Sequence, residues 1–357
     1  MGTCASKAGP RSMDTWAAEP ESTTGGGASM EEDPSSTSSP HYHHVYVHDD
    51  SVPVSCVVHT SGPVCASGWD DGTIKLIDFS SKSIVRSWAA HSRSVNRLLV
   101  GPRTSSLYSC SRDTTIARHS LTDDNAIPTT FAGHSLTVSA LAIDPSEGHL
   151  ASGSRDTSVS LWDVATATRL QNTSTSQNIV TCMAWVPSDA HVVAQGGEDL
   201  HLRLWDARTW KNVQTIDGYV YFPLSLACSP DGYYLFTSSK GFNAVGCEGR
   251  VWDRRTGKQV AEMTGHSQDA TACAYIPGHP DEGITASKDS SVRVWSTVSG
   301  NLLASTQDGA AAAMFTSLSC VEPATADDGV THILTSSFGG RIDMYAWDRA
   351  KQSLELV

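Results

Sequence analysis

The sequence predicts an all-β fold, a seven-bladed β-propeller preceded by a disordered amino-terminal tail, and three observations point to it. A twelve-residue pattern recurs along the chain, its copies stand about 43 residues apart, and the first forty residues lack the aliphatic content of the rest. Short β-rich runs separated by turn residues at such a period describe one four-stranded sheet per copy.

Taken in order, the tail comes first. Residues 9–40 are dominated by Ser, Thr, Gly, Pro and Glu, too poor in apolar surface to offset the entropy of ordering. Residues 1–41 are therefore expected to form a flexible linker, and residues 42–357 the propeller. The pattern then reads "SGWDDGTIKLID" to Asp78, "SCSRDTTIARHS" to Ser120, "SGSRDTSVSLWD" to Asp163, "QGGEDLHLRLWD" to Asp206, an interrupted copy to Asp253 and "TASKDSSVRVWS" to Ser296. Those ends recur at 42, 43, 43, 47 and 43 residues, and a looser copy, "TSSFGGRIDMYAWD", follows. A lone four-stranded sheet cannot bury both faces, whereas stacking sheets in a ring buries each on its neighbour. Two segments compete to finish the last sheet, "HVYV" from His44 and "SLELV" at the end of the sequence.

The period and signature resemble WD repeats. The third copy carries His134, Ser152, Asp156 and Trp162, and the sixth carries His266, Thr285, Asp289 and Trp295. The resemblance implies that each set forms a buried hydrogen-bonded chain. Because Ser, His and Asp recur at blade spacing with a Trp partner, they read as structure and not as a hydrolase triad. Other copies lack members: the fourth has no Gly-His, the second puts His119 where Trp is expected, and the seventh has Phe338-Gly339 in place of Asp. Those blades are expected to be less rigid.

Bulk properties narrow the function. The net charge of −13 disfavours nucleic-acid backbones as partners. No apolar run is long enough for a membrane helix, and the amino terminus lacks a secretory pattern, which together point to an intracellular protein. Nine cysteines fall without metal-ligand spacing, so they read as small buried hydrophobes, and "HYHH" (His41–His44) lacks a compact ligand geometry. No metal or cofactor is expected, and no enzyme, since acid, base and nucleophile do not fall together outside the repeats.

The start "MGTCASK" matches the myristoylation pattern at Gly2, with Ser6 and Lys7 in favourable places. One acyl chain anchors only marginally, and Cys4 offers a second, palmitoylated anchor. For a partner surface, the residue before each turn Asp faces one side of the ring. Arg112, Arg155 and Lys288 are basic there, Asp70 and Glu198 acidic, and the arginines suggest a seat for an acidic segment. The insertion Lys240–Arg250 reads as an irregular loop and a second candidate surface.

The lipidation start, the "SRD…LWDV", "QNIVT…WVP" and "ED…LRLWD" runs and the "GF…GCE…WD" insertion together resemble the ciliary WD repeat-containing protein 31 family. That resemblance implies a membrane-tethered scaffold in cilium or flagellum protein trafficking, with GTPase-regulating and ciliary trafficking proteins as partners. An alternative is a substrate receptor of a cullin–RING ubiquitin ligase, docking through the WDxR boxes that end at Arg208 and Arg255. A G-protein β-like subunit is less well supported, because the tail has no apolar heptads for a helical partner.

Overall fold

The computed structural model describes residues 44–47, 52–175, 178–307, 314–321 and 329–357. Among them the secondary structure is entirely β, in seven antiparallel sheets. Blade one is a meander of Val54–Ser61, Val64–Trp69, Thr73–Asp78 and Ser83–Ala89. The inner strands of blades two to seven are Val95–Val100, Val138–Ile143, Val180–Trp185, Pro223–Cys228, Ala270–Ile276 and Phe315–Cys320. Each inner strand touches the next, and the last touches the first, so the seven sheets close into a propeller.

Burial across a blade explains its residues. The second and third strands are covered on both faces by neighbouring blades, hence the near-continuous buried runs of Val64–Trp69 and Ile74–Ile77. The outer strand Ser83–Ala89 is mostly exposed and tolerates Ser and Arg. The apolar core is accordingly divided into seven slabs, one between each pair of blades. Close approach between blades demands a small residue in the second strand. At Gly153 a Cβ would lie 2.1 Å from Val180 Cγ1 at the start of the next inner strand.

A polar seam runs around the inner strands. Their second residue repeatedly donates to the first carbonyl of the next blade: Asn96 to Val138 O (2.7 Å), Ser139 to Val180 O, Thr181 to Pro223 O (2.5 Å) and Thr271 to Phe315 O (2.9 Å). Thr316 donates to Val54 O at 2.6 Å, so the ring closes by the same bond that joins four other pairs of blades. Ser55 meets Ser94 Oγ at 3.3 Å instead. Leu224 has no donor to offer blade six, and its carbonyl accepts from Arg97 Nη2 across the ring (3.0 Å). The axial channel enclosed by these strands holds about 210 Å³.

Both competing terminal segments complete the last sheet. The long strand Arg341–Asp348 pairs with His44–Val47 along Arg341–Asp343 and with Ser353–Leu356 along Tyr345–Asp348. The two share one edge end to end, because this strand is eight residues long where most third strands have five or six.

Gly153→Val should force blades three and four apart, costing about 1–3 kcal/mol by overpacking; chemical denaturation of the variant beside wild type measures it. An unchanged midpoint would show that the slab can yield at this point.

Candidate interaction surface

The predicted sets form chains in blades three and six. Trp162 Nε1 donates to Ser152 Oγ (2.8 Å), Ser152 meets His134 Nε2 (2.7 Å), and His134 Nδ1 meets Asp156 Oδ2 (3.0 Å). An ionised Asp only accepts, so Nδ1 carries the proton and Nε2 accepts from the Ser hydroxyl. Blade six repeats this with Trp295, Thr285, His266 and Asp289 at 2.8, 2.7 and 3.1 Å. Ser152 and Thr285 are wholly buried with their protons committed to His, so neither reaches a substrate, and the sets act as braces.

Blade two contains a third chain that the motif search missed. His91 contacts Asp113 Oδ2 (2.9 Å) and Ser109 Oγ (2.8 Å), and His119 Nε2 approaches Ser109 at 3.1 Å, in the role of the absent Trp. The signal was present, since His91 precedes Ser109 by 18 residues, as His134 precedes Ser152. Elsewhere replacement is partial, since the buried Trp252 Nε1 of blade five and Thr335 Oγ1 of blade seven have no partner among the described residues. Trp205 donates to Gln195 (3.3 Å), Tyr219 meets Thr237 (2.6 Å), and Trp347 of blade seven reaches Glu282 of blade six (3.0 Å). Of the blades expected to be less rigid, two and four keep a substitute contact through His119 and Gln195, while Trp347 of blade seven turns to its neighbour.

Burial lowers the basicity of His91, His134 and His266 despite their aspartates, and brings His119 down to about 4. Burial by itself would raise Asp156. Hydrogen bonds from Ser158, the Ser135 backbone and His134 outweigh it and hold the carboxyl at about 2. The eight described cysteines are unpaired thiols, and burial pushes Cys56 and Cys273 up to about 12.

The upper face carries the turns between second and third strands and the crossings between blades. A cup of about 510 Å³ opens there over the channel. Arg155, Lys240 and Lys288 line it together with Asp70, Glu198 and Asp269. Lys288 is paired with Asp269 (2.8 Å), so it belongs to a mixed rim. Arg112 and Arg155 are exposed, but only Arg155 lines the cup, and neither has an ion-pair partner among the described residues.

The insertion is irregular, as expected, but carries a tight hairpin turn at its tip. Phe242 and Val245 exchange backbone bonds of 2.9 and 3.1 Å, with Asn243 and Ala244 at φ 52° and 61°, the paired left-handed residues of a type I′ turn. Ala244 N also bonds Ser267 O (3.0 Å), and Gly241 N bonds Asp269 Oδ1 (2.9 Å), which staples the hairpin to blade six. Phe242 is nonetheless 69% exposed, beside exposed Val245. On the lower face, Arg208 and Arg255 each fold back in two bonds onto Asp206 and Asp253, while remaining half or more exposed. Gly2, Cys4 and the segment to residue 41 lie outside the described residues, as do His41 and His43.

The family WD domain, G-beta repeat, matches residues 126–163, 168–206 and 257–296. Each match begins near the outer strand of one blade and ends on the third strand of the next, so every repeat ties two blades together.

The buried imidazoles make stability depend on pH. Unfolded histidine takes a proton near pH 6.5, whereas the folded sites resist it, so stability is full above that value and is lost as pH falls. His119, depressed to about 4, accounts for about 3 kcal/mol of this loss between the two values. His119→Gln should flatten the fall in melting temperature over that window; an unchanged slope would assign the loss elsewhere.

Proposed function

We propose that this seven-bladed propeller, with WD repeats recognisable in three matched segments, is a non-catalytic scaffold that holds a protein partner on its upper face. The observation that carries this reading is the stapled hairpin. An aromatic residue 69% exposed would ordinarily be hidden or mobile, yet its backbone is paired with Val245 in a turn that Gly241 and Ala244 bond to blade six. A rigid exposed aromatic surrenders little entropy on binding, the property of an interface anchor. The mixed charges of the adjoining cup supply a polar rim, with Arg155 and Arg112 available to acidic groups of the partner.

The start of the sequence supports a finer reading. Acylation at Gly2 and Cys4 tethers the propeller to a membrane, and the ciliary resemblance makes GTPase-regulating and trafficking proteins the partners at the cilium or its base. The exposed arginines Arg208 and Arg255, on adjacent blades of the lower face, favour one second reading, a receptor docked to a cullin–RING ligase.

Imaging of the full chain with a carboxy-terminal fluorescent tag in ciliated cells separates these. Wild type is expected at the cilium or its base, Gly2→Ala dispersed, and Phe242→Ser still on membrane but at least tenfold less enriched at the cilium. Diffuse wild type, unaltered by Gly2→Ala, would overturn the tethered ciliary reading. Adaptor co-purification lost on changing Arg208 and Arg255 would establish the ligase reading.

A further inference from the structure

The lower face holds a second feature that the braces, the seam and the upper face do not use. Between blades five and six a cleft of about 250 Å³ is walled by Val251, Val260, Pro280 and Val298. Val260 and Val298 are 51% and 72% exposed, so the apolar walls reach the surface. Tyr275, from the end of the inner strand of blade six, lines the cleft with only 9% of its surface accessible, and its hydroxyl has no hydrogen-bond partner among the described residues. A buried phenol without a partner is destabilising, and an acceptor brought by a ligand removes that cost.

The wall on the blade-six side is built to stay in place. Its two strands, Ala270–Ile276 and His279–Ser287, run beyond the lengths of their counterparts in blade five and turn at Pro277-Gly278. Buried Glu282 accepts from Trp347 Nε1 (3.0 Å) and pairs with Arg349 Nε (2.7 Å), which fixes the hairpin to blade seven. The other side of the ring of Tyr275 packs edge-on against Phe236, with centroids 5.7 Å apart.

From this geometry we infer that the cleft between blades five and six is a second docking site, for a peptide segment that inserts one aliphatic side chain and gives a backbone carbonyl to the Tyr275 hydroxyl. Its volume lies below the roughly 300–1,000 Å³ of cofactor and drug-sized sites and suits one or two side chains. The rim chooses the flanking charge. Asp231 is exposed with no ion-pair partner among the described residues, and Asp281 shares Arg349 with Glu282. Lys or Arg beside the inserted residue complements these carboxylates. The site is separate from the upper face, so the propeller holds two partners, or two segments of one, at once.

The test pans a displayed library of random twelve-residue peptides on the full chain and measures resynthesised, fluorescein-labelled hits by polarisation. The expected hits share an aliphatic residue next to Lys or Arg. Val298→Asp weakens them more than tenfold, Asp231→Lys by a similar factor, and Tyr275→Phe about three- to tenfold. Tyr275→Phe melts no lower than wild type, because it deletes an unsatisfied group, so its weaker binding reports the lost bond. Phe242→Ser leaves these affinities within twofold. Hits indifferent to both Val298→Asp and Tyr275→Phe, or no hit that distinguishes wild type from Val298→Asp, would overturn the site. Hits lost only with Phe242→Ser would overturn it too, while leaving the upper-face reading intact.

Discussion

Everything in this molecule rests on one short bond repeated around an axis: a polar side chain on five of the seven inner strands donating to the first carbonyl of the next. A blade offers two apolar faces, and burial of those faces supplies most of the driving force. Burial is non-directional, however, and does not set the angle at which one sheet meets the next. The bonds from Asn96, Ser139, Thr181, Thr271 and Thr316 do so, each pinning the start of the following strand. The same contacts explain the small residues in the neighbouring strand, since at Gly153 and Gly196 the next blade leaves no room for a side chain.

Of the two exceptions in that seam, the one without any side-chain donor is informative. Between blades five and six the donor position is Leu224, and its own carbonyl is served by Arg97 from across the channel. At that junction the chain compensates on the upper face. The upper hairpin bonds blade five to Ser267 and Asp269, and on the lower side the lengthened hairpin of blade six is held from blade seven through Glu282. The exposed hairpin and the apolar cleft therefore flank a step where the common seam is interrupted. A junction freed from the shared pattern is where a scaffold can vary its surface without disturbing ring closure.

The repeat period made the architecture readable from the chain, because ring symmetry imposes the same turn and brace chemistry on each blade. His134, Ser152, Asp156 and Trp162 were legible for that reason, and His91 with Asp113 should have been, at equal spacing. What departs from the repeat was illegible in proportion. Phe242 and Val245 look like loop residues until Asn243 and Ala244 take left-handed conformations and pair them. Tyr275 looks like one more core aromatic, since nothing in a sequence records an unmatched hydroxyl. The shared last edge could not be chosen between two segments because both occupy it.

The closing bond from Thr316 to Val54 spans 262 residues of chain. At a synthesis rate of roughly 5–20 residues per second, the first blade waits on the order of 13–50 s for the strand that covers its open side. Throughout that interval Val54, Val57 and Ile77, which end up in the slab between blades seven and one, have only water or a chaperone against them. The geometry that leaves the finished ring without a long bare edge thus gives the nascent chain a prolonged one, and its yield in the cell depends on how that edge is kept from other strands until the last blade arrives.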